Sequence, residues 1–170
     1  DDWPEPLREL YARHDCEPRT ENAVTAVDPW LESMQICEIP SRIPLRFVPP
    51  YNGTNVLPPS VLAPAKKRRV LLTWGSMLVI RDGIEAFPVA DIVKTLHEHD
   101  VEIVLAVKGA DRGLVPPDLP SGATVVENVP LNAIMPSCDA VVHHGGAGTI
   151  MTAAYYGVRS SASRPRVTCR

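Results

Sequence analysis

Residues 139–157 read DAVVHHGGAGTIMTAAYYG. The stretch from Asp139 to His144 is apolar at its centre and has the length of a strand bounded by turn residues. Gly148–Gly157 is Ala-rich, lacks proline and closes on a glycine, as helices do. Between the two, Gly145, Gly146 and Gly148 let the chain bend sharply and approach a ligand closely. A strand that turns through glycines directly into a helix is one unit of a parallel α/β sheet.

The same alternation extends upstream. VLLTW (Val70–Trp74) is an apolar strand that ends at Gly75-Ser76. VADIVKTLHEHD (Val89–Asp100) sets Val89, Ile92, Val93 and Leu96 on one helical face. EIVLAV (Glu102–Val107) and ATVVENV (Ala123–Val129) are further strands, and PLNAIMPSC (Pro130–Cys138) is a short helix cut by Pro136. Strands apolar on both faces need cover on both sides, so the predicted fold class is a doubly wound, Rossmann-like α/β sheet. Ligands of such sheets sit beyond the carboxyl ends of the strands.

The first part of the chain is of another character. EPLRELYARHD spaces Leu7, Leu10, Tyr11 and His14 as a half-buried helix, and TAVDPWLESMQ reads as irregular loop. Residues 40–64 are dense in proline, which predicts an extended connector without a continuous helix or central strand. Lys66–Arg69 reads as a solvated lead-in to the first strand, with Glu102 and Asp139 as solvated strand edges.

Composition narrows the classes. Of 170 residues 45% are hydrophobic and 22% charged, enough for one core and part of a second. A net charge of −3 and 5% aromatic residues argue against a nucleic-acid partner. No apolar run nears the roughly 20 residues that span a bilayer, and the opening DDWPEP is no signal segment, so a cytoplasmic protein without a membrane partner is expected. Cys16, Cys37, Cys138 and Cys169 lie far apart, which fits reduced thiols and no metal site.

The glycine loop stands where a ligand would bind. First-turn amides of a helix have no intrahelical partner and carry the positive dipole end, which favours an anion. The loop is neither a dinucleotide fingerprint, since Met151 stands where a third glycine is required, nor a P-loop, since no Gly-Lys-Ser/Thr follows. Adjacent histidines at a strand end point in opposite directions, so they do not chelate a metal. A phosphate cradle and a merely structural turn with one buried histidine both fit these residues.

VVHHGGAGT, together with DPWL, PYNG, LLTWGS, EIVLAV and PLNAIMPSCD, resembles the nucleotide-sugar glycosyltransferases of GT-B fold that decorate macrolides and aromatic polyketides. The matching blocks run over roughly residues 28–157. The resemblance implies an acceptor-domain remnant at 1–39, an interdomain linker at 40–66, a partial donor domain at 67–158 and a disordered or frame-shifted tail at 159–170. It implies a dTDP- or UDP-sugar donor, a hydrophobic macrolide or polyketide acceptor, a helper protein in some members, and no metal or cofactor. His143, Gly145, Gly146, Ala147, Gly148 and Thr149 would hold the donor diphosphate, and Ser76, Asn128 and Val129 the nucleotide. Asn128 stands where the family often has an aromatic that stacks on the base. The catalytic histidine of the family and its sugar-gripping acid–glutamine pair match no residue here, so a chain inactive by itself and marginally stable is expected. A non-catalytic nucleotide-binding module or an inactive remnant would carry the same loop.

Overall fold

The computed structural model describes residues 4–17, 19, 26–35, 41–75 and 88–163. They fall into two units, Asp1–Phe47 and Val48–Arg170.

In the first unit α1 spans Glu5–Ala12. Leu7 and Tyr11 are half-buried, Leu10 is exposed and His14 lies past the helix end, so the predicted apolar face is only partly covered. β1 (Ala26–Asp28) pairs in parallel with β2 (Arg42–Pro44), and a 3₁₀ turn follows at Glu32–Met34. The sequence predicts irregular chain at both strands. What orders them is the buried Asp28, which no periodicity announces. Its carboxylate meets Arg42 Nε at 3.1 Å, accepts the Trp30 N–H at 2.9 Å and takes a further bond from Gln35. Arg42 in turn donates to Gln35 Oε1 and to the Trp30 carbonyl. A buried charge is tolerable when paired and hydrogen-bonded in this way. Pro44 can end β2 because in a two-stranded sheet each strand is an edge.

The second unit opens with α2 (Pro59–Leu62), a single turn started by proline. Then come β3 (Arg69–Thr73), α3 (Val89–Glu98), β4 (Glu102–Val107), a 3₁₀ segment at Gly109–Leu114 and β5 (Ala123–Glu127). After α4 (Leu131–Ile134) and a 3₁₀ turn come β6 (Ala140–His143), α5 (Ala147–Tyr156) and β7 (Arg159–Ala162). The five strands are all parallel, in the order β5-β4-β3-β6-β7. Neighbouring strand residues pack on opposite faces. Leu71, Val104, Ala106 and Val141 join Val61, Ile134, Met135 and Ala153 on one side. Leu72, Ile103, Leu105 and Val107 join Trp74, Val89 and Val93 on the other. The predicted doubly wound class follows from this two-sided core.

Two expectations change here. Arg69 is buried, not a solvated lead-in. Its guanidinium donates to the Val61 carbonyl at 2.8 Å and the Ala63 carbonyl at 3.1 Å, and pairs with Glu102 at 3.0 Å. Its N–H donates to Asp139 Oδ2 at 2.8 Å, and Glu102 Oε1 also accepts the Lys66 N–H at 2.7 Å. One side chain thus ties the end of the proline-rich segment to the starts of β3 and β4. The proline-rich segment from Val48 onward is accordingly part of the second unit and contributes Val61 to its core.

The second change concerns the segment expected to be a disordered tail. Residues 159–162 form β7, paired along β6 from Ala140↔Arg159 to His143↔Ala162. Gly157 in the left-handed conformation, φ 67°, closes α5 and turns the chain back to the sheet. The β6 edge supplies the backbone partners, so a strand of exposed Ser and Ala residues forms without an apolar pattern. Residues 164–170 lie outside the described ones.

Replacing Arg69 with alanine leaves Glu102 and the Val61 and Ala63 carbonyls without their partner. Urea unfolding of Arg69→Ala should show a loss of about 3 kcal/mol, and Arg69→Lys should recover only part of it because one ammonium cannot reach every acceptor. An unchanged midpoint would refute the clamp.

Candidate functional site

Strand order reverses at β3, with β4 on one side and β6 on the other. Beyond the carboxyl ends at this switch point lies a cleft of about 250 Å³. Thr73, Trp74 and Gly75 come to it from β3, and Ala106, Val107 and Lys108 from β4. Asn128, Val129 and Leu131 come from the end of β5 and the start of α4, Thr149 from the first turn of α5, and Asn52 from the proline-rich segment.

The two histidines have separate roles, set by strand alternation. His143 shares its face with the buried Val141 and is itself fully buried. The Gly145 N–H donates to its Nδ1 at 2.9 Å, so in the neutral ring Nε2 carries the proton and donates to Ser160 Oγ at 2.7 Å. Both ring nitrogens are occupied inside the protein. The expectation that His143 bonds phosphate oxygens is therefore corrected: it is a positioning residue that fixes the glycine turn and fastens β7. Gly145 is corrected with it, because its amide points at His143, and its φ of 97° needs glycine.

His144 is the imidazole at the loop mouth. The Gly75 N–H donates to its Nδ1 at 2.9 Å, which leaves the proton on Nε2. A Cβ at Gly75 would stand 2.5 Å from His144 Cε1, and one at Gly146 2.7 Å from Nε2. The ring lies between two glycines and occupies the space that a side chain at either of them would take. Burial pushes both imidazoles below the ordinary value, and the neighbouring His144 adds to the effect on His143.

The rest of the predicted set divides as follows. Gly146 is the N-cap of α5 without a side-chain cap, and its carbonyl accepts from Thr149 and Ile150. The amides of Ala147 and Gly148 fall in the first turn, where a helix supplies no partner. Asn128 and Val129 line the cleft. Asn128 is left-handed at φ 52°, a conformation asparagine tolerates, and its Oδ1 accepts the Gly109 N–H at 3.0 Å. This joins the ends of β4 and β5, a task an aromatic could not perform. Ser76 lies outside the described residues. Sequence reasoning missed Asn52, Trp74, Gly75 and Lys108 as cleft residues. Position at a strand's carboxyl end marks the last three; Asn52 lies in PYNG, a block of the resemblance to which no role attaches. Among the described residues no group of three His, Cys, Asp or Glu could hold a metal, and no helix is long and apolar enough to cross a membrane.

A switch-point cleft beside a glycine turn and a helix N-terminus is the kind of place where α/β domains hold nucleotides and phosphates. Residues 90–162 match the C-terminal domain of the erythromycin biosynthesis protein CIII-like family. The chain is 40% identical over 161 residues to aclacinomycin-T 2-deoxy-L-fucose transferase of Streptomyces galilaeus, covering 91% of this chain and 36% of that protein. It is 41% identical over 135 residues to TDP-daunosamine transferase DnrS of Streptomyces peucetius, covering 78% and 31%. The structure matches spinosyn rhamnosyltransferase SpnG with TM-score 0.75 and 32% identity, over 94% of this chain and 42% of that one. SpnG is also solved with thymidine diphosphate and with spinosyn aglycone. The chain is thus similar to GT-B antibiotic glycosyltransferases, and it spans about a third of the length of the curated relatives it matches.

Acid should act on the fold through the histidine pair. The unfolded chain takes up protons near pH 6.5, whereas the folded chain, with lowered histidine values, does not. Stability is therefore complete above about pH 6.5 and falls as pH drops through the lowered values. Denaturant melts between pH 7.5 and 5 should show this decline, and His143→Gln should flatten it while lowering stability at neutral pH. A wild-type profile level from pH 7.5 to 5 would contradict the assignment.

Proposed function

We propose that this chain supplies the donor-binding part of an inverting glycosyltransferase, which transfers a sugar from a dTDP- or UDP-sugar to a hydroxyl of a polyketide-type acceptor. The observation that carries the reading is the cleft at the β3/β6 switch point, lined by Gly75 and by Thr149 of the first turn of α5, with His144 bonded to the Gly75 amide. In such a transfer the glycosidic bond to the nucleoside diphosphate breaks and the leaving group gains negative charge. Donors aimed at those oxygens bind the transition state more tightly than the ground state.

His144 would donate through Nε2–H, held in that tautomer by the Gly75 amide. Thr149 would add its hydroxyl, and Gly146, Ala147 and Gly148 their backbone amides at the positive end of the α5 dipole. The base would lie toward Asn128 and Val129 at the end of β5. Among the described residues that line the cleft, none is an acid or a histidine able to accept the acceptor's proton. The share of the reaction assigned to this chain is donor binding and leaving-group stabilisation.

Calorimetric titration of dTDP into the chain tests the reading. Binding should be measurable, and His144→Ala and Thr149→Ala should each weaken it about tenfold. Absence of any dTDP binding would sink the proposal, and binding insensitive to both changes would sink the assigned phosphate contacts.

A further inference from the structure

We propose that the turn Tyr51–Thr54 is a second wall of the nucleotide site and that Asn52 is its base-reading residue. Its side-chain amide would hydrogen-bond to the imide edge of a pyrimidine nucleoside diphosphate. The inference rests on the nucleotide-binding reading above and goes beyond it, since that reading takes the base contacts from β5 alone.

The turn is fastened to the base-binding end of the cleft by four observations. The Thr54 and Asn55 N–H groups both donate to the Asn128 carbonyl, at 2.9 and 3.1 Å. The Asn55 side chain donates to the Glu127 carbonyl at 2.8 Å. Gly53 packs so closely that a Cβ would stand 2.2 Å from Pro130 Cδ and 2.5 Å from the Asn128 carbonyl oxygen. Asn128 and Pro130 are the residues on either side of Val129, which lines the cleft. A segment rich in proline and otherwise extended is thus clipped, backbone to backbone, onto the end of β5.

The residue this fastening presents to the cleft is Asn52. Its side-chain amide takes no part in the bonds that hold the turn, and the residue is exposed. A carboxamide offers one acceptor and two donors side by side. The complementary edge is an N–H flanked by carbonyls, which thymine and uracil present. The rigid turn matters for this: a side chain on a mobile connector would lose in ordering entropy much of what one or two hydrogen bonds return.

The test compares dTDP, UDP, GDP and inorganic pyrophosphate by calorimetry on the full chain and on Asn52→Ala and Asn52→Asp. The aspartate is isosteric but accepts only. Both variants should keep the wild-type melting temperature, bind dTDP and UDP about tenfold more weakly, and bind pyrophosphate as the wild type does. Wild-type dTDP binding with unchanged affinity in both variants overturns this inference alone. Equal losses for dTDP and pyrophosphate also overturn it, because the effect would then be on the shape of the site. Failure of the wild type to bind either ligand overturns the nucleotide reading, and this inference with it.

Discussion

The parallel pairing of β3 with β6 is the constraint on which the site depends. It runs in register from Val70↔Ala140 to Thr73↔His143 at the centre of the sheet, and it ends both strands at the same level. The Trp74–Gly75 turn and the His144–Gly146 turn are therefore neighbours although about seventy residues separate them in sequence. The remaining strands extend this pair outward, and the two hydrophobic clusters hold it from either face. Slipping β6 by one residue would exchange His143 for His144 on the buried face and dismantle the turn.

From that register the histidine chemistry follows. One imidazole is spent on architecture, accepting the Gly145 amide and holding Ser160 on the next strand. The other is spent on orientation, with one nitrogen fixed by Gly75 and the second left to donate at the loop mouth. Two adjacent residues of the same type divide these tasks because strand side chains alternate. The two glycines that flank His144 belong to different turns, so the site is assembled only when β3 and β6 are paired.

Much of the second unit was legible in the sequence. Every strand from β3 to β6 lies where an apolar run stands, and β4 coincides with EIVLAV at both ends. The α5 helix was readable from its glycine at the end and its alanines. Parity was not readable: Val141 and Val142 are both apolar, so a strand covered on both faces carries no period-two signal, and the buried histidine could not be told from the exposed one. The opposite failure hid Arg69, whose position in a basic run suggested solvent although its partners lie in three distant segments. β7 was illegible for a third reason. Its order comes from backbone bonds to an existing edge, and its side chains contribute no pattern.

For the proposed transfer, the residues around the cleft suit a leaving group better than they suit a nucleophile. Among the described residues its polar groups are amides, hydroxyls and the cation of Lys108, set beside the positive end of a helix, and no carboxylate lines it. Such a set strengthens as an anion develops and has nothing with which to withdraw a proton. A histidine does stand close by, but its environment keeps it neutral and its Nδ1 is committed to the Gly75 amide, so it is a donor and a poor base. In the proposed inverting transfer, proton abstraction from the acceptor hydroxyl would then occur on the far side of the sugar from this loop. On that reading the loop serves the diphosphate and the base is left to a separate structural element.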